Sequence, residues 1–149
     1  MNEIKNGRYE EKFKTSWYLN NNLHREGGPA VEWKDNHKEW WINGDRHRAD
    51  GPAIEYDSGK KEWYLNNKRH RIGRPAIEWL DGSKNWFFNG QLHFEDGPAM
   101  EYADGRKEWY LDGQELTEKE FKQWKDKQNL NKKLEIKLLP KAILKKFKI

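Results

Sequence analysis

A motif that returns every 23 residues governs what this chain can fold into: it begins at Trp17 and restarts at Trp40, Trp63, Trp86 and Trp109. The units span 17–39, 40–62, 63–85 and 86–108, with a broken fifth at 109–113. A repeat this short cannot bury a core alone, so successive units must stack on one another.

Each unit reads as two strands and two turns. A Lys-Glu pair runs into Trp-aromatic-aliphatic, a stretch of high β-propensity, and Asn43-Gly44 or Asn89-Gly90 then supplies the residues of a type I′ hairpin turn. The next strand starts at Pro29, Pro52, Pro75 or Pro98, where a missing backbone donor does least harm. Asp81-Gly82 and Asp104-Gly105 turn the chain back. The fold class expected is all-β: an elongated antiparallel meander of roughly nine strands, advancing ~9.6 Å per unit at ~4.8 Å per strand. Residues 1–16 are expected to add a capping strand at its start.

Composition bounds the function. Leu, Ile, Val and Phe make up only 27 of 149 residues, but nine tryptophans compensate, since a large aromatic buries roughly 150–250 Å². There is no cysteine, which removes disulfides and thiol chemistry and fits a cytoplasmic setting. Met1 to Ser16 is polar, no leader is visible, and no apolar run approaches the ~18 residues of a membrane span. The net charge of +4 conceals a division. From Thr117 onward eleven lysines face four acids, whereas residues 1–116 carry 18 basic and 21 acidic side chains. The repeats are slightly acidic, so sequence-specific nucleic-acid binding by the sheet is disfavoured.

The repeating Asn43-Gly44 with His47, and Asn89-Gly90 with His93, followed by Asp81-Gly82 and Asp104-Gly105, resemble the MORN repeat, whose units are also 23 residues long. The likeness covers residues 17 to about 113 and looks closest to the divergent variety of bacterial, phage and giant-virus proteins. The stretch His47 to Ala53 stands where the family has H-G-x-G. The resemblance implies a β-hairpin repeat sheet that acts as a binding scaffold for proteins or phospholipid surfaces, with no chemistry of its own. By the same analogy, the Lys- and Asn-rich composition is similar to that of phage proteins, with a partner in a host defence or regulatory system.

Residues 114–149 read as a basic helical cap and tail. Thr117 with Glu120 forms a capping box, and Leu116 with Phe121 a hydrophobic staple. Phe121 and Trp124 share one helical face, suited to covering the last strand. Asn129 to Lys133 reads as a linker. Beyond it, Lys141, Ile143, Lys145, Lys146 and Phe147 belong to a basic amphipathic segment that Pro140 would start, fit for an anionic membrane, a partner's groove or the sheet itself.

Residues that every unit carries are best explained by building the unit. Equivalent histidines, ~9.6 Å apart across two strands, are too far apart for shared coordination, so no metal is expected. Arg25, Arg48 and Arg71 can pair with Glu32, Glu55, Glu78 and Glu101 or meet an anionic ligand, and the near-equal numbers favour internal pairing. Lys38, Lys61, Lys84 and Lys107 read as solvated edge charges. Strand alternation gives two aromatic stripes, one through Trp17, Trp40, Trp63, Trp86 and Trp109, the other through Tyr18, Trp41, Tyr64, Phe87 and Tyr110. The second has no obvious cover and is the expected binding face.

Function is sought where the pattern breaks. The third unit has Ile72-Gly73-Arg74, the fourth replaces the arginine by Phe94, and the first has Asn36-His37 in place of Asp-Gly. The candidate binding segment therefore runs from Arg46 to Arg74, with Arg46, Arg48, Arg69, His70, Arg71 and Arg74 around the anchors Trp41 and Tyr64. No phosphate loop or nucleophile motif is present, so neither catalysis nor a cofactor is expected. The leading expectation is a protein-binding scaffold. The alternatives are a protein that sequesters an anionic small ligand or nucleotide, and a scaffold held to a membrane by its tail. Self-association is open to any of them.

Overall fold

The computed structural model describes residues 4–138. It divides into two units, one ending at Glu115 and one beginning at Leu116. The first is β throughout. Twelve strands form one antiparallel sheet that starts with Gly7–Glu10 and Lys14–Leu19 and ends with Lys107–Leu111 and Gln114–Leu116. The N-terminal region supplies the edge strand Gly7–Glu10, which pairs antiparallel with Lys14–Leu19 and sets Arg8 opposite Trp17.

Inside the sheet the second and third units each contribute two strands of two residues, Ile54–Glu55 with Lys61–Glu62 and Ile77–Glu78 with Lys84–Asn85. The chain then leaves the sheet at the tryptophan and forms a separate hairpin, Trp41–Ile42 with Asp45–Arg46, Tyr64–Leu65 with Lys68–Arg69, and Phe87–Phe88 with Gln91–Leu92. The stretch expected as one strand is thus broken in two, and the count exceeds nine. Trp40 stands at the break. Its N–H donates to the Ala53 carbonyl of the sheet, while its own carbonyl accepts from His47 of the hairpin. Trp63 and Trp86 repeat both bonds. Trp17 makes the same two bonds inside the continuous strand Lys14–Leu19, where Arg8 of the preceding strand pairs with it. The alanine that receives each tryptophan is fully buried at Ala30, Ala53, Ala76 and Ala99, where a larger side chain has no room.

Both turn types follow from their residues. Asn43 and Gly44 have φ of 52° and 87°, Asn89 and Gly90 51° and 89°, the paired positive values of a type I′ turn. Asn66 and Asn67 adopt the same geometry with φ of 49° and 62°. Asn67 offsets that conformational cost by accepting from the Arg46 N–H and donating to Asp45. In the second turn of the first unit it is Asn36, at φ 68°, that takes the place glycine holds in the others.

Register sets the two faces of the sheet. Along one row Glu32, Lys38, Glu55, Lys61, Glu78, Lys84, Glu101 and Lys107 face one another in order. The lysines expected at edges therefore stand between glutamates of neighbouring strands, an alternation worth about 0.2–1 kcal/mol per pair. The other row runs Ser16, Val31, Glu39, Ile54, Glu62, Ile77, Asn85, Met100 and Glu108. Val31, Ile54 and Ile77 are buried there, each contributing about 1.5–3 kcal/mol.

The second unit is a helix, Glu118–Leu138. Its start is the capping box: Thr117 N–H donates to Glu120 at 2.8 Å, and Glu120 N–H donates to the Thr117 hydroxyl at 3.3 Å. The Thr117 N–H and hydroxyl, both donating to the Glu120 carboxylate, hold it below its ordinary value. Phe121 is buried and its ring lies 5.7 Å from Trp124. The segment expected as a linker, 129–133, continues the helix. It contains neither glycine nor proline to stop it, and Lys, Leu and Asn are all compatible with helix. At 21 residues the helix is longer than a short cap.

Candidate functional site

Every unit places a residue of the buried row between two aromatic side chains. Glu62 is only 1% exposed. Its carboxylate accepts from Tyr64 at 2.9 Å and Tyr56 at 3.2 Å, and pairs with Lys60 at 2.6 Å and Arg69 at 3.1 Å. Burial alone would raise its pKa, but Lys60, Tyr64 and Arg69 outweigh burial and hold the carboxyl below its usual range. The same burial and the nearby Glu62 charge push Tyr56 up to about 12. Glu39 sits one unit earlier, accepting from the indoles of Trp41 at 3.1 Å and Trp33 at 3.3 Å. Its basic neighbours stand further off, the Arg46 Nε at 3.5 Å and the His37 ring Nε2 at 3.7 Å. In the third unit the position is Asn85, and in the fourth Glu108 takes bonds from Tyr102 and Tyr110.

The arginines form a second repeated device. Arg25, Arg48 and Arg71 each donate from one nitrogen to a proline carbonyl and to a glutamate, reaching Glu32 at 2.9 Å, Glu55 at 3.0 Å and Glu78 at 2.8 Å. Each guanidinium also covers a tryptophan, at 3.8 Å from Trp17, 4.1 Å from Trp40 and 3.8 Å from Trp63. Internal pairing, the favoured alternative, is what the geometry has. The histidines are a third device. His24, His70 and His93 accept through Nδ1 from the N–H of Asn43, Asn89 and Asp112, the turn of the following unit. Among the described residues no three His, Asp or Glu side chains gather closely enough to hold a metal ion.

The candidate residues of the Arg46 to Arg74 segment consequently fall into separate groups. Arg46 and Arg69 converge with Trp41 and Tyr64, but around the buried carboxylates Glu39 and Glu62. Arg48 and Arg71 belong to the clasps over Trp40 and Trp63. His70 joins two units and packs on Phe88, while Arg74 is exposed in the turn. Lys141, Ile143, Lys145, Lys146 and Phe147 lie outside the described residues.

The surface that stays apolar belongs to the hairpins. The third position of each Trp-aromatic-aliphatic run forms a row, in which Leu19 is 43%, Leu65 40% and Phe88 42% exposed. Ile42 and Leu111 are half-buried members of it. Open clefts lie between consecutive units along this row. One of about 300 Å³ is lined by Arg25, Trp40, Ile42, His47, Arg48 and Asp50. Another, of about 480 Å³, has Arg71, Trp86, Phe88, His93, Phe94 and Asp96 at the matching positions, with Ile72 and Asp112 besides. Sequence reasoning had grouped the row with the packed tryptophans. The signal available was its own aliphatic periodicity, with the polar atoms of the other stripe aimed at Glu39, Glu62 and Glu108. No protein-family model and no curated protein matches this sequence.

Proposed function

We propose that this chain is a non-catalytic, MORN-like repeat scaffold that binds a partner protein along its hairpin row. The observation that carries the reading is the exposed series Leu19, Leu65 and Phe88, joined by Ile72 at 80% exposure, on a rigid ladder. Contiguous exposed apolar surface on a folded domain marks an interaction site. The repeated polar groups already serve one another: Arg25, Arg48 and Arg71 are matched by glutamates, and His24, His70 and His93 by backbone donors. That matching gives little support to an anionic-ligand trap on those arginines. A cytoplasmic role against a host defence or regulatory system is the setting the composition suggests, by analogy alone.

Affinity capture from a lysate tests the reading with the full chain and with a Leu19→Asp/Leu65→Asp variant. Both sites are exposed, so the variant should keep the wild-type circular dichroism. A stoichiometric protein retained by the wild type and lost by the variant is the expected result. Equal retention by both would remove the hairpin row from the interface.

A further inference from the structure

Trp33, Tyr56, Trp79 and Tyr102 take the same place in successive units, two strands or about 9.6 Å apart. In the first two units the side chain four positions after the ring fills the space before the next. His37 lies 5.9 Å from Trp33 and 4.6 Å from Tyr56, its plane turned 14° and 26° from theirs. The Lys60 ammonium lies 5.0 Å from Tyr56 and 5.3 Å from Trp79. The third unit has Ser83, which is too short to reach between two rings and whose hydroxyl accepts from the Ala103 N–H at 3.1 Å. An open cleft of about 230 Å³ results, lined by Trp79, Asp81, Ser83, Asn85, Met100 and Tyr102. Arg106 stands 4.3 Å from the Tyr102 ring but takes no part in the lining.

The buried row changes at the same place. In the other units its carboxylates satisfy the polar atoms of these rings: Glu39 accepts from the Trp33 indole at 3.3 Å, Glu62 from Tyr56 at 3.2 Å and Glu108 from Tyr102 at 3.0 Å. Asn85 is only 8% exposed, and among the described residues neither its carboxamide nor the Trp79 indole N–H has a hydrogen-bond partner. A buried amide left unpaired costs free energy that a bound group can recover. The carboxamide presents a donor and an acceptor side by side, which suits a planar group carrying the complementary pair on one edge. That group is neutral. The lining holds no basic side chain for a phosphate, and its one carboxylate, Asp81, accepts from the Ser83 N–H at the exposed rim, leaving no buried counter-charge for a cation.

We propose that this cleft binds a nucleobase, stacked between Trp79 and Tyr102 with its hydrogen-bonding edge on the Asn85 carboxamide. His37 shows that the ladder accepts a planar ring at the matching place in the first unit. An asparagine amide pairs in this way with adenine, through the amino group and the neighbouring ring nitrogen. Stacking on aromatic side chains is how an unpaired base is commonly held. The base enters without contact to its phosphate, either as a free nucleoside or as one base of a single strand. None of the lining residues belongs to the hairpin row, so this cleft and the protein-binding face stand or fall separately.

The test titrates the full-length, 15N-labelled protein with deoxyadenosine and with its N6,N6-dimethyl derivative, which stacks but cannot donate to Asn85. The signal followed is the Trp79 indole N–H, assigned through Trp79→Phe. Saturable shifts there are expected, with the dimethyl compound bound more weakly by at least about tenfold. Ser83→His gives the third unit the ring that His37 provides in the first, and should weaken deoxyadenosine by at least about tenfold. Should that variant fold poorly, Asn85→Leu is close in volume and should remove the preference between the two nucleosides. A single-stranded hexamer of deoxyadenosine separates the sources. Tighter binding than the nucleoside, with the same Trp79 shift, assigns the base to a strand; equal or weaker binding assigns the free nucleoside. No shift at Trp79, equal affinity for the two nucleosides, undiminished binding by a folded Ser83→His, or a preference that survives Asn85→Leu would overturn the inference.

Discussion

Glu62 and Asn85 hold the same place in consecutive units, yet one is a buried charge and the other a neutral amide. Their surroundings differ in step. Around Glu62 stand Lys60, Tyr64 and Arg69; at the matching positions around Asn85 stand Ser83, Phe87 and Leu92. The acid, both cations and a hydroxyl donor have left together. The pair teaches that ionisation here belongs to the whole site and not to one residue: the buried charge at Glu62 comes with donors that the neutral amide lacks. Glu39 is a buried carboxylate with fewer of them, two indole donors and the Arg46 guanidinium standing off at 3.5 Å.

Breaking the charged member should have the largest effect. Glu62→Ala leaves Arg69, Lys60 and two tyrosine hydroxyls without their acceptor and should lower stability by about 3 kcal/mol, read from the urea midpoint. Converting the neutral member is the reciprocal experiment. Asn85→Glu alone should cost about 2 kcal/mol, and adding Ser83→Lys with Leu92→Arg should recover at least half of that. If the single change is harmless, the co-occurrence of acid and donors is accidental. A smaller effect, about 1 kcal/mol, is expected of His70→Ala, which removes one acceptor between units while leaving both carboxylate sites intact.

Acid and alkali sharpen the same contrast. The Glu62 carboxyl is depressed in the folded state, so its contribution is fully present above the ordinary value of 4.5 and is lost as pH falls through the lower folded value. Glu62→Gln should flatten the acid limb of a stability profile; Asn85→Asp should not reproduce wild-type behaviour anywhere on it. Tyr56 is raised, so the stability it brings is present below 10 and is lost as pH climbs toward about 12. Tyr56→Phe should remove part of that alkaline loss.

Much of the architecture is legible in the residues themselves. The 23-residue period, Asn43-Gly44 as a primed turn and Thr117 with Glu120 as a helix start depend on local chemistry, and local chemistry is what a sequence displays. The break at Trp40, Trp63 and Trp86 is not of that kind. Lys-Glu-Trp-Trp-Ile reads as one strand, and so does Lys14–Leu19, which stays whole where Arg8 pairs with Trp17; the division depends on strand neighbours far away in sequence. Glu39 and Glu62 escaped notice for a related reason. A Lys-Glu dipeptide looks solvated until pairing shows that the glutamate sits between Val31 and Ile54 or between Ile54 and Ile77. The substitution at Phe94 was readable as a break in the pattern. The cleft around it was not, because Phe94 and His93 share it with Asp112 only when the fifth turn stacks on the fourth unit.

The bonds between hairpins tie each unit to the one that follows it, and Arg25, Arg71 and Phe94 donate their N–H groups to the Trp41, Phe87 and Tyr110 carbonyls. Leu23, Arg46, Arg69 and Leu92 offer carbonyls, and His24, His70 and His93 offer ring nitrogens, to turns that come later in the chain. A unit leaving the ribosome therefore carries an open seam that only its successor can close. The folding front trails synthesis by one repeat, roughly one to five seconds at about 5–20 residues per second.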